Sequence, residues 1–327
     1  MTPDGFRTKS PRRAFGDRRP RRGRAAPRGL SVAGLVDPRL QRRETSALAL
    51  YEMTTPRTTF AEDVANAAEL GLGGLGICAV KLDEATLAAD LELWQTAPLR
   101  TTFCLPSPDA VLPQPRVAGP ADHGARMAAI RHSVDILARF EPVGIVCTTG
   151  PAGDLDARTA RRRVVDGLKA IADHAGELGL RVALEPLHHS MRGDWTTIST
   201  LDEALDLIDA AGAPNVGVLV DVWHLGESAS LADEIRAAGA LVFDVHVSDR
   251  RVPTRGWCDR ALPGDGSIEF EPILDALAAI GYGGWYEIEI FSDDGLFGTR
   301  YEDSLWLLPP LDLVRAARDA FLDLSAI

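Results

Sequence analysis

Val216-Gly217-Val218-Leu219-Val220-Asp221-Val222-Trp223-His224 is an apolar, β-branched run set between Gly212 and Gly226. Such a run, punctuated by glycine, predicts a buried strand. It stops on Asp221, and His224 follows three residues later. An acid and an imidazole at the end of a hydrophobic strand lose hydration unless a salt bridge or a metal ion compensates them.

Seven more short apolar runs surround this one. They cover 47–51, 74–80, 100–105, 143–148, 180–185, 241–246 and 285–290. Helices are expected near 59–70, 84–95, 121–140, 157–178, 201–211, 231–238, 271–280 and 311–324, so strand and helix alternate. Eight such units in about 280 residues predict a (β/α)8 TIM barrel. A doubly wound open sheet would carry a Gly-rich phosphate turn after its first strand. Tyr51-Glu52-Met53-Thr54-Thr55-Pro56 is not one, and the chain has neither a P-loop nor a G-x-S-x-G elbow.

Composition narrows the partners. The 327 residues carry a net charge of −12, which hides a split: residues 1–43 hold thirteen Arg/Lys and three acids, leaving 22 basic against 44 acidic residues in the remainder. A body this acidic excludes nucleic acid as the main partner. The Arg/Pro-rich stretch over 1–43 is expected to be a disordered tail ahead of a single catalytic domain over 44–327. Its start lacks the apolar core of a secretory signal, and no stretch is long and apolar enough for a membrane span. Cys78, Cys104, Cys147 and Cys258 form no CxxC pair, and most fall in strands, so they read as reduced core residues of a cytoplasmic protein. Assembly into a homo-oligomer is left open.

In a TIM barrel the catalytic groups stand at the C-terminal ends of the strands. Strands five to eight end in Glu185, Asp221, His246 and Glu289. Pro186 keeps Glu185 extended. Three carboxylates converging on one mouth repel unless a cation lies between them. Three oxygens and one nitrogen suit one divalent ion such as Mn²⁺, Mg²⁺ or Co²⁺ better than a thiolate zinc site. Asp244 and Glu287 lie two residues before His246 and Glu289, hence one layer deeper on the same face, where they orient His246 or pair with Arg181. The seventh loop holds Arg250, Arg251, Arg255 and Arg260 interleaved with Asp249, Asp259 and Asp265. It is therefore either an anion site, with Arg260 the best candidate, or self-neutralised. Trp195, Trp223 and Trp257 fall in loops expected to ring the mouth, where they would pack against a sugar or line the rim.

Leu184-Glu-Pro-Leu187, Val220-Asp-Val-Trp-His224, Asp244-Val-His-Val-Ser-Asp249, Leu262-Pro-Gly-Asp-Gly266 and Gly281-Tyr-Gly-Gly-Trp-Tyr-Glu-Ile-Glu289 together resemble the xylose-isomerase-like sugar phosphate isomerase/epimerase family. That family includes ketose 3-epimerases, hydroxypyruvate isomerases, inosose dehydratases and endonuclease IV. The resemblance runs from Ala47 to the eighth strand. It implies that Glu185, Asp221, His246 and Glu289 bind the metal, and that Glu185 and Glu289 are also the acid/base pair. It further implies that His224 contacts a substrate oxygen, and it places His188 near the substrate. The expected reaction is isomerisation or epimerisation of a carbohydrate or polyol-derived substrate through an enediolate. A dehydratase of the inosose or dehydroshikimate type is the alternative, with a shared proton abstraction. A hydrolase like endonuclease IV would need more histidines where strands two to four end, near Val80, Leu105 and Thr148. A barrel that only binds a ligand would have no use for the full ligand set.

Overall fold

The computed structural model describes residues 47–115 and 117–325, so the tail expected over 1–43 lies outside the described residues. In chain order the strands are β1 (Leu48–Tyr51), β2 (Gly74–Gly76), β3 (Arg100–Thr101), β4 (Phe103–Cys104), β5 (Gly144–Cys147) and β6 (Arg181–Leu184). They continue with β7 (Val216–Asp221), β8 (Val242–Val247), β9 (Asp249–Arg250), β10 (Arg260–Ala261) and β11 (Tyr286–Ile288). The helices are α1 (Phe60–Glu69), α2 (Leu87–Thr96), α3 (His123–Ala138), α4 (Ala157–Glu177), α5 (Leu201–Ala211), α6 (Val222–Leu225), α7 (Leu231–Ala238), α8 (Phe270–Ala279) and α9 (Pro310–Ser325).

The main sheet runs β3-β2-β1-β11-β8-β7-β6-β5-β4, with every neighbour parallel. Its two ends, β3 and β4, are separated by Thr102 alone, so they are one strand interrupted at a single residue. Counted that way, eight parallel strands close on themselves, and each is followed by a helix on the outside: a (β/α)8 barrel. Most of the apolar core lies between strands and helices. A smaller cluster of Phe103, Val146, Ala183 and Leu219, joined by Phe243, fills the barrel itself.

Local chemistry fixes the ends of these elements. Thr59 and Glu62 form a reciprocal capping box at the start of α1. Thr200 caps α5, which ends on Gly212 with φ 65°, a conformation that costs glycine little. On β8 the register slips: Val218 pairs with Val242, but Leu219 pairs with Asp244, so Phe243 is an extra residue. This bulge sends Phe243 into the lower barrel and restores the alternation that turns Asp244 and His246 inward. The four cysteines are free and buried. Among the described residues no helix is long and apolar enough to cross a membrane.

Candidate metal centre at the barrel mouth

Side chains alternate along a strand, so Arg181, Ala183 and Glu185 share one face of β6, as Gly217, Leu219 and Asp221 do on β7. Ala183 and Leu219 are found inside the barrel, which places Glu185 and Asp221 at its mouth. Glu185 is still held in the ladder, its N–H donating to the Cys147 carbonyl at 2.9 Å; Glu289 donates likewise to Val247 at 3.2 Å. One ligand atom each from Glu185, Asp221, His246 and Glu289 lies within 4.8 Å of the others, and all four residues are buried. The four strand ends read from the sequence therefore converge on one point.

Three buried carboxylates need positive charge, and the chain supplies one. Arg260 Nη1 donates to Asp221 Oδ2 at 2.9 Å and to Glu289 Oε2 at 2.7 Å. Burial works against ionisation of Glu289, but Arg260 and His246 beside it bring its carboxyl down to about 2. Glu185 lacks that neighbour at bonding distance; burial, and then Glu289, push its carboxyl well above the usual range. Burial alone would lower His246, yet Glu289 and Asp244 on either side raise it well above an ordinary histidine. Neither ring nitrogen of His246 has a hydrogen-bond partner among the described residues, although Nδ1 lies 3.4 Å from Glu289 Oε2. A buried imidazole with free nitrogens beside three carboxylates fits a hard or borderline divalent ion.

The opening stretch turns at Asp221. The strand ends there, and Asp221 Oδ1 accepts the N–H groups of Trp223 and His224, capping the one-turn helix α6. Asp221 thus presents Oδ2 to Arg260 while Oδ1 builds the turn. That turn carries Trp223 inward to 1% exposure, so it does not ring the mouth as expected. Its indole packs under Arg250 and Arg260 instead, each 5.1 Å from the ring. His224 Nδ1 accepts the backbone N–H of His188 at 3.0 Å. Its proton therefore resides on Nε2, which lies 3.7 Å from Glu185 Oε1 and 3.4 Å from an Arg260 nitrogen. Burial brings His224 down to about 3, so the ring is neutral. The His188 ring turns toward Glu227 at 3.0 Å and Ser190 at 2.8 Å; its backbone is what positions His224.

The seventh loop is neutralised by contact. Arg250 pairs with Glu227, Arg251 and Arg255 with Asp259 and Asp303, and Arg260 with Asp221 and Glu289. Arg260 is not out in the loop awaiting an anion. The hairpin of β9 and β10 doubles it back, and its N–H donates to the Phe291 carbonyl at 2.8 Å. Asp249, read as a counter-charge, accepts the backbone N–H groups of Gly264, Gly266 and Ile268 at 3.0 Å each and so builds the Pro-Gly-Asp-Gly turn. Trp195 and Trp257 do lie in loops at this end, with ring centroids 5.4 Å apart, and Trp257 continues to Phe291 and Phe297.

The chain belongs to the xylose isomerase-like TIM barrel family, which it matches over residues 64–323. Among curated relatives it is similar to inosose isomerase of Bacillus velezensis, 30% identical over 38% of this chain and 44% of that one. It is also similar to D-psicose 3-epimerase of Enterocloster bolteae, 28% identical over 55% of each. The chain thus spans about half the length of the curated relatives it matches. Among solved structures, the IOLI protein with a binding zinc atom shares the fold, with a TM-score of 0.69 at 19% identity over 86% of this chain and 98% of that one.

Proposed function

We propose that the chain isomerises or epimerises an unphosphorylated sugar or cyclic polyol ketone by moving a carbon-bound proton. The four buried residues at the ends of β6, β7, β8 and β11 carry this reading. Glu185, Asp221, His246 and Glu289 would hold one divalent ion. When bound, that ion would polarise a carbonyl and its neighbouring hydroxyl, lowering the barrier to forming an enediolate.

The protein's own groups do the rest. Glu185 and Glu289 flank the centre; one, ionised, takes the carbon-bound proton, and the other, protonated, delivers its own proton to the opposite face or to the adjacent carbon. His224 offers a fixed, neutral Nε2–H to a substrate oxygen. Arg260 keeps Glu289 ionised. The pairing of all four seventh-loop arginines with carboxylates supports a substrate without a phosphate. The names of the inosose isomerase and psicose epimerase relatives support the same substrate class.

The test is C–H exchange in D2O. The Mn²⁺-loaded protein is incubated with free ketoses, ketose phosphates and inososes and followed by proton NMR. Exchange into a free ketose or inosose is expected, together with its loss in Glu289→Gln at unchanged circular dichroism. Exchange confined to phosphorylated substrates, or normal turnover by Glu289→Gln, would overturn the reading. An enone chromophore would replace it with the dehydratase.

A further inference from the structure

Beneath the mouth the barrel holds two more carboxylates. Asp244 and Glu287 are fully buried, one layer below His246 and Glu289. Glu287 is anchored: its Oε1 accepts the Phe103 N–H at 3.1 Å. Gly76 makes room for it, since a Cβ there would stand 2.2 Å from Glu287 Oε2. Asp244 has no such anchor. Neither of its oxygens has a hydrogen-bond partner among the described residues, and Oδ2 lies 3.4 Å from His246 Nε2.

The imidazole of His246 is therefore strung between two layers. Nδ1 faces upward, 3.4 Å from Glu289 Oε2, and Nε2 faces downward toward Asp244. A neutral imidazole carries one proton, and only its bare nitrogen can bind a metal. A carboxyl group whose oxygens have no other hydrogen-bond partner among the described residues, placed under Nε2, favours the tautomer with the proton there. Alternation puts Asp244 on the same face as His246, and the bulge at Phe243 turns that face into the barrel.

We propose that Asp244 is a positioning residue: it holds His246 as the Nε2–H tautomer and so presents the Nδ1 lone pair to the divalent ion. This rests on the metal reading above. At 3.4 Å the approach is longer than a well-made hydrogen bond, and a slight tilt of the ring would close it. Partners of this kind typically contribute 10–100-fold to metal affinity.

The experiment titrates Mn²⁺ into the EDTA-stripped full-length protein by calorimetry. Wild type comes first: if it binds no Mn²⁺, the metal reading itself falls. Given binding, Asp244→Asn should weaken the Kd by about 10–100-fold, while Glu287→Gln, which leaves the imidazole's partner in place, should stay within about threefold. A second measurement needs no variant. In the Zn²⁺-loaded wild type, ¹⁵N NMR of the histidines should place the His246 proton on Nε2. An Asp244→Asn Kd within about threefold of wild type, or a proton on Nδ1, overturns the assignment while leaving the metal site standing.

Discussion

Arg260→Met tests the electrostatics of the mouth most directly. The guanidinium is 1% exposed, and a single nitrogen bonds both Asp221 and Glu289. Methionine keeps much of the stem's bulk against Trp223 and Phe291, whose rings lie 5.1 and 4.9 Å from the guanidinium carbon, but it removes the charge. Two buried carboxylates are then left with one cation fewer. Breaking a buried ion pair from one side costs about 3–5 kcal/mol. At roughly 2.1 cal/mol/K per residue over about 280 residues the unfolding entropy is about 0.6 kcal/mol/K, so Tm should fall by about 5–9 °C.

The assay is scanning fluorimetry with EDTA and then with Mn²⁺. At about 100 times its Kd the ion adds about 2.7 kcal/mol to whatever binds it. The ion also supplies positive charge to the carboxylates that Arg260 served, so the gap between variant and wild type should narrow. A drop of less than about 2 °C in EDTA would show that Arg260 is not what stabilises these carboxylates. A gap that Mn²⁺ leaves unchanged would show that ion and arginine do not act on the same oxygens.

Two further outcomes concern protons. Glu52 is buried at the end of β1, with Oε2 accepting the Cys78 N–H at 2.7 Å; burial, and then Asp63, push its carboxyl up to about 8. Because the folded-state value lies above the unfolded one, the folded chain holds the extra proton between about pH 4.5 and 8, and stability falls as pH rises through that window. Urea midpoints should show Glu52→Gln gaining on wild type from pH 5 to pH 8, by about 1–3 kcal/mol; a pH-independent difference would sink the assignment. At the mouth, the raised Glu185 and His246 hold protons that a metal must displace. Mn²⁺ affinity should therefore rise with pH, and the calorimetric heat at pH 7 should depend on the buffer's ionisation enthalpy. A buffer-independent heat would show that no proton leaves.

What the sequence discloses here, and what it conceals, follows from the range of each interaction. Glu185, Asp221, His246 and Glu289 were legible because a polar residue that ends an apolar strand needs compensation at the barrel mouth, four consecutive units end that way, and alternation fixes the face. The destination of a loop side chain has no such rule. Arg260 lies 39 positions from Asp221, and only the β9–β10 hairpin brings the two together. Asp249 serves backbone N–H groups 15 to 19 residues away, which no charge count reveals. Trp223 was misplaced for a nearer reason: Asp221 is a good N-cap residue, and reading it so would have foretold the turn that buries the indole. The two roles of Asp221 also depend on each other. Its Oδ1 bonds to Trp223 and His224 hold the carboxylate in one rotamer, which aims Oδ2 at Arg260. The same bonds start the turn that sets His224 beside them. The geometry of the site is thus written locally, in the three residues after the strand, while its charge balance is supplied from a distant loop. A substitution in the turn should therefore misalign the centre without altering its charge, and one at Arg260 should do the reverse.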